Sequence, residues 1–392
     1  LYLSNQYTFM LKSIGILLTL IISLLGKNTI SAQAVPTFGP EIKVTISGLT
    51  FDAMEPFISP DGNTFFFNSL NAGGNTNIYY ALKENDSTFT FMGLVGGCYD
   101  PSPEHLDGVA AMDKDNHFFW ISLRNYPFVF ENLFSGWYSD GAVTDISRVY
   151  GDFYIYEPGW LIMDATINYE GDLLYFNNAY FNNCLFGMPC DASIGVAEKI
   201  NDTTFAKLWN SETLFANVND TNYIVYAPQV TENGLELYFT RILNGTVNSE
   251  ICISTRANIN DAWSLPTVIY ANLGFVPEAA TPTTDKKIIY YHQKEETGLF
   301  HIYMRYREIA DDIQEQELQL IVFSPNPVVD DLYLQSLLQQ GENKIEIFNM
   351  VGKQVLQFSN CNPCSVSTLA SGVYVLSVTH NGVKKQTLFM KK

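Results

Sequence analysis

A motif that recurs five times constrains this chain more than any other feature of its sequence. Each copy is a tight polar turn followed by a strand rich in large apolar and aromatic residues. The copies read Asp61-Gly62-Asn63-Thr64-Phe65-Phe66-Phe67, Asp115-Asn116-His117-Phe118-Phe119-Trp120, Gly171-Asp172-Leu173-Leu174-Tyr175-Phe176, Asn233-Gly234-Leu235-Glu236-Leu237-Tyr238-Phe239 and Asp285-Lys286-Lys287-Ile288-Ile289-Tyr290-Tyr291. Aligned on Gly62, Asp115, Gly171, Gly234 and Lys286, they follow one another at about 53, 56, 63 and 52 residues, near the ~40–50 residues of a four-stranded propeller blade with its loops. A unit of that size cannot cover both of its faces alone, so the copies must stack. The Asp-Gly and Asn-Gly steps supply the positive φ of a two-residue hairpin. Third strands are expected at Asn77–Ala81, Pro127–Phe130, Ser193–Ala197, Glu250–Ser254 and His301–Arg305, and one outer strand at Ala262–Pro266. The expected fold is all-β: a five-bladed β-propeller over residues 35–310, then a small Ig-like β-sandwich.

The stretch Glu55-Pro56-Phe57-Ile58-Ser59-Pro60-Asp61-Gly62-Asn63-Thr64, followed by Asn77-Ile78-Tyr79-Tyr80, resembles the TolB-like, WD-type propeller repeat, and the likeness runs over residues 41–310. Such propellers serve as binding platforms, gating domains of peptidases and sugar-active enzymes, so the resemblance implies a fold and not an activity.

The pattern changes after an acidic, Gln-rich stretch that reads as a linker over residues 311–319. Val322-Phe323-Ser324-Pro325-Asn326-Pro327, Lys344-Ile345-Glu346-Ile347-Phe348-Asn349-Met350-Val351-Gly352-Lys353 and Ser371-Gly372-Val373-Tyr374-Val375-Leu376 alternate strictly and are parted by turn residues, with Asn349–Lys353 and Asn381-Gly382 as hairpins. In order and wording, residues 320–392 are similar to the type A C-terminal sorting domain of Bacteroidetes type IX secretion cargo. The resemblance implies recognition by the outer-membrane translocon, cleavage by a sortase-like peptidase, and release or attachment at the cell surface.

The N-terminus agrees with export. Met10–Lys12, the apolar run Ile14–Leu25 and Ala32-Gln33-Ala34 read as a signal peptide over residues 1–34, with an apolar core too short to span a bilayer. The expected location is extracellular, secreted or attached to the outer-membrane surface after periplasmic transit. Between residues 35 and 319 acids outnumber bases 37 to 14, which disfavours nucleic acid and anionic lipid as partners.

Six cysteines in an exported chain permit disulfides, and Cys184 with Cys190 is the best-placed pair. Cys361-Asn362-Pro363-Cys364 has metal-ligand spacing but no accompanying Cys or His cluster, so it reads as a local disulfide or free thiols. The five histidines are scattered, and nucleotide-loop, zinc-protease and Ser-His-Asp signatures are missing from the sequence. No metal and no cofactor is expected.

The candidate site comes from the first strands of the repeats, which line a propeller's central channel. Glu55, Glu104, Asp164 and Glu278 lie near the starts of such strands, with Gln229 in the fourth copy. Converged on one mouth, they could bind a cation or a sugar, or act as a glycosidase pair; the commoner alternative is a turn-capping side chain facing water. Tyr126, Trp137, Tyr138, Tyr156 and Trp160 offer stacking surfaces or inter-blade packing. The expected function is a non-catalytic binding module for a glycan, peptide or protein, with an extracellular glycan-active enzyme as the alternative.

Overall fold

The computed structural model describes residues 35–70, 75–100, 105–184, 187–308, 323–334, 343–380 and 383–392. The expected signal peptide, linker and Asn381-Gly382 turn lie outside these residues. The described chain forms two compact units, one ending at Glu308 and one beginning at Phe323.

In the first unit the five aromatic copies each become the second strand of an antiparallel sheet. Sheet one runs outward from Met54–Ile58 through Thr64–Asn68, Ile78–Asn85 and Thr88–Leu94, with Thr45–Ser47 added in parallel at its edge. Sheet two comprises Asp107–Met112, His117–Ser122, Leu133–Ser139 and Ala142–Arg148. Sheet three comprises Trp160–Ile167, Leu173–Tyr180, Asp191–Asn201 and Thr204–Lys207, edged by Tyr150–Gly151. Sheet four comprises Tyr223–Val230, Glu236–Leu243, Ser249–Thr255 and Thr267–Ala271. Sheet five comprises Glu278–Pro282, Ile288–Lys294 and Phe300–Glu308, and its outer edge is supplied by Thr37–Phe38 and Ile42–Lys43. Each inner strand packs against the inner strand of the next sheet, and that of sheet five against that of sheet one. This is a β-propeller fold.

The aromatic pairs hold neighbouring sheets together. Phe66 of sheet one meets Phe118 of sheet two at 5.1 Å, and Phe65 meets Tyr290 of sheet five at 5.0 Å, separations at which ring pairs add to burial. Where the N-terminal segment joins sheet five, Glu41 accepts hydrogen bonds from the hydroxyls of Tyr270 (2.7 Å) and Tyr291 (2.5 Å) and from Gln293 Nε2 (3.0 Å). A residue early in the chain thereby bridges the last two sheets.

Three local expectations are corrected. The turns are longer than two residues: Ser59 N donates to Thr64 O and Gly62 N to Ser59 O, and the same pattern recurs at Asn168–Leu173, Thr231–Glu236 and Thr283–Ile288. One left-handed residue closes each turn, Gly62, Gly171, Gly234 or Lys286, and in sheet two it is Asn116 rather than Asp115. Pro127–Phe130 is not the third strand of sheet two. Phe128 N and Val129 N both bond to Asn125 O, so the segment curls and Phe128 is left 92% exposed, while Leu133–Ser139 forms the strand. Ala262–Pro266 is not the outer strand of sheet four either, because Trp263 is buried with its N–H bonded to Leu214 O and pairing begins at Thr267.

The second unit holds two sheets. Phe323–Ser324, Asp331–Leu334 and Cys364–Ser365 form one, and Gln354–Ser359, Asn343–Asn349, Gly372–His380 and Val383–Lys391 the other. Val328, Leu332, Ile345, Ile347, Leu376, Val378 and Phe389 form its core. Asn349 N donates to Lys353 O in the expected hairpin, and Cys361 is disulfide-bonded to Cys364.

Candidate functional site at the ring of inner strands

Every inner strand slips register as it reaches the middle of the ring, between Met54 and Phe57, Gly108 and Ala111, Ile162 and Asp164, Tyr226 and Gln229, and Glu278 and Thr281. These are β-bulges, which bend a strand and re-aim its side chains. Glu55, Val109, Ala227 and Ala279 directly follow the last pair before the slip in sheets one, two, four and five, whereas in sheet three Asp164 is itself paired, to Asn177. Four of the five take positive φ: Glu55 49°, Val109 56°, Ala227 51° and Ala279 54°. Such a conformation costs on the order of 1–3 kcal/mol at a non-glycine residue, so the surroundings must hold it.

Polar side chains of the preceding sheet do so. Asn68 Oδ1 accepts the Val109 N–H at 3.2 Å, Asp164 Oδ2 that of Ala227 at 3.2 Å, Thr240 Oγ1 that of Ala279 at 3.0 Å, and His292 Nδ1 that of Glu55 at 3.2 Å. Between sheets two and three Asn132 makes both bonds to Ile162, donating to its carbonyl at 2.7 Å and accepting its N–H at 3.0 Å. All five junctions are therefore latched by a side chain reaching across to a bulge.

The latches bring three acids together. Glu55 and Glu278 are half-buried, and Asp164 is 3% exposed. One oxygen each from Glu55 and Glu278 and a nitrogen of His292 lie within 4.8 Å of one another. Glu278 Oε1 accepts the Tyr226 hydroxyl at 2.6 Å, and its Oε2 stands 3.5 Å from His292 Nε2. The space left at the mouth, bounded by Glu55, Pro56, Asp164, Ala227, Gln229 and Ala279, is a cavity of about 10 Å³, room for a single water.

Burial, reinforced by the charges of Asp164 and Glu278, pushes the Glu55 carboxyl well above the usual carboxylate range. Burial also raises Asp164 to about 7; the Ala227 N–H opposes that shift and the Glu278 charge adds to it. In the unfolded chain Asp164 would titrate near 3.8, so between there and about 7 the folded state keeps a proton that the unfolded state has lost. Stability contributed in this way is greatest below the window, falls as pH rises through it, and is gone above about 7. At 1.36 kcal/mol per unit this amounts to at most roughly 4 kcal/mol. The protein is expected to melt at a lower temperature at pH 8 than at pH 5.5. Asp164→Asn, which keeps an acceptor for Ala227, is expected to shrink that difference by about half or more in thermal melts; an unchanged difference would refute the assignment.

Of the residues named from sequence, Glu55, Asp164 and Glu278 meet at the mouth, and Gln229 lines the cavity with its Oε1 accepting the Thr166 hydroxyl at 3.1 Å. Glu104 lies outside the described residues. Cys184 is bonded to Cys190 in the loop before Asp191–Asn201. Among the aromatics, Tyr156 is exposed, Trp137 stacks on His117 at 4.7 Å, Trp160 is half-buried against Tyr180 at 5.2 Å, and Tyr138 packs on Phe66 at 5.0 Å. Sequence reasoning missed Tyr226 and His292. The available signal was the polar residue that follows the aromatic run, repeated as Asn68, Asn177, Thr240 and His292.

Residues 322–392 match the family described as "Secretion system C-terminal sorting domain". That module is a type IX sorting domain. The sorting domain marks the chain as cargo of the type IX secretion machinery, exported to the cell surface or the extracellular space. None of the curated proteins matches the chain in sequence. Among solved structures it is similar to a TolB-type protein from Agrobacterium tumefaciens (13% identity, 67% of this chain and 77% of that one, TM-score 0.40). It is also similar to Zg3597, a family 117 glycoside hydrolase of Zobellia galactanivorans (10%, 71% and 92%, TM-score 0.45), and to an endo-arabinase from Bacteroides thetaiotaomicron (14%, 71% and 99%, TM-score 0.43).

Proposed function

We propose that this protein is an exported binding module: a five-bladed propeller that grips a glycan, peptide or protein partner outside the cell, delivered by an Ig-like sorting domain. In this reading residues 1–34 are removed as a signal peptide, and the sorting domain is cleaved by a sortase-like peptidase once the translocon has recognised it. The mouth of the ring carries the choice of binding over hydrolysis. Pockets that take small ligands span about 300–1,000 Å³, whereas the space among the acids is about 10 Å³. A sugar ring does not enter it, and a glycosidic bond outside it stays beyond the acids. The five latches serve the same end, since they hold a fixed surface.

Glycan hydrolysis is the second reading, favoured by two observations. The Glu55 and Glu278 oxygens lie within 4.8 Å, near the ~5–5.5 Å carboxyl spacing of retaining glycosidases, and Asp164 near 7 suits a proton donor. The test of the binding reading is a screen of the full chain against polysaccharide and envelope-protein panels. Saturable binding of at least one member is expected, and no binding to any member would overturn it.

A further inference from the structure

At the ring of inner strands a nitrogen of the buried His292 and one oxygen each of Glu55 and Glu278 lie within 4.8 Å of one another. His292 is fully buried and its Nε2 has no hydrogen-bond partner. Because Nδ1 accepts the Glu55 N–H, the neutral imidazole carries its proton on Nε2. That removes the ring as a metal ligand, since Nε2 has no lone pair to give. The Nε2–H instead needs an acceptor, and Glu278 Oε2 at 3.5 Å is beyond a well-formed hydrogen bond. The atom that completes the set must accept from His292 and donate to a carboxylate. A cation accepts nothing and a carbonyl donates nothing; a hydroxyl oxygen, like water, does both.

We propose that the mouth is the hydroxyl-binding subsite of a carbohydrate ligand, with His292 Nε2–H donating to one ligand hydroxyl and Glu278, held by Tyr226, accepting its proton. The inference rests on the binding reading above and names its ligand class. Only the hydroxyl reaches the cluster; the adjoining cavity bounded by Glu55, Asp164, Ala227 and Gln229 is about 10 Å³, so the sugar ring stays outside the acids. Gln229 lines that adjoining cavity and supplies an amide for a neighbouring hydroxyl. Trp160 opens the inner strand of sheet three four residues before Asp164, roughly 13 Å along it at ~3.3 Å per residue. Its half-buried ring is paired with Tyr180.

The test uses the full chain labelled with ¹⁵N-histidine and titrated with methyl glycosides of glucose, galactose, mannose, xylose and arabinose. Before addition, His292 is expected to show an unprotonated Nδ1 and a protonated Nε2. At least one glycoside is expected to shift the Nε2 signal saturably. His292→Asn copies the side chain that Asn68 uses for the same latch, so it keeps an acceptor for the Glu55 N–H while deleting the second donor. It is expected to melt near the wild type and to bind the shifting glycoside at least about tenfold more weakly, and Glu278→Gln is expected to weaken it similarly. A His292 signal that exchanges with water but is unmoved by every glycoside overturns the inference, as does a signal moved only by a serine-containing peptide. A partner that binds equally well to His292→Asn sinks the inference and leaves the binding module standing, whereas the lack of any partner in the wider screen sinks the binding module itself.

Discussion

Deleting residues 322–392 is expected to keep the protein inside the cell envelope while leaving the propeller folded. The sorting domain has a separate core, built on Val328, Leu332, Ile345, Ile347, Leu376, Val378 and Phe389, and every described strand of sheets one to five pairs within residues 35–308. Removing it therefore takes away an address without opening a sheet. Fractionation of a producing strain is expected to move essentially all of the protein from the surface and medium to the periplasm, and the purified truncated chain to melt within a few degrees of the propeller transition of the full chain. Undiminished export would contradict the assignment of the sorting domain as the export signal.

The largest single-residue effect is expected at Glu236, which ties sheet four to sheet five. Its side chain is 1% exposed and accepts from Arg307 at 2.8 and 3.2 Å, Lys286 at 3.2 Å and the Tyr238 hydroxyl at 3.2 Å. Burial alone would raise its pKa, but Arg307 and Lys286 outweigh it and hold the carboxyl below the ordinary value. Breaking a buried pair by removing one partner costs about 3–5 kcal/mol; Arg307 and Lys286, with side chains 21% and 22% exposed, regain part of their hydration, which places this variant toward the lower end. At ~2–4 °C per kcal/mol for a domain of 150–250 residues, Glu236→Ala should melt on the order of 10 °C lower. The exposed pair Lys114–Glu170 is the control: Lys114→Ala should cost no more than ~1 kcal/mol. Equal effects at the two sites would refute the argument from burial.

The sheets were legible in the sequence because each copy repeats the same local chemistry. A turn that needs a left-handed residue and a following strand of aromatics recur together, and strand two of every sheet falls on them. What local chemistry does not encode was missed. The outer edge of sheet five comes from Thr37–Phe38 and Ile42–Lys43, which pair with residues near 303–308 far along the chain. Phe128 and its neighbours looked like a strand by apolar content, but Asn125 draws two backbone N–H groups into a turn. The acids at the mouth could be named from the expected starts of first strands; Glu55 and Glu278 do stand there, while Asp164 lies in the middle of Trp160–Ile167. Their company could not, since His292 reaches Glu55 across 237 residues and only the closed ring brings the two together.

The central claim is that the acids at the mouth fix and recognise rather than hydrolyse. Its most direct test is release of reducing sugar by the full chain from a polysaccharide panel that includes every bound member, compared with Glu55→Gln, Asp164→Asn and Glu278→Gln. The account predicts saturable binding with no release above the level of the three variants. Turnover by the wild type that any of the three substitutions abolishes would contradict it.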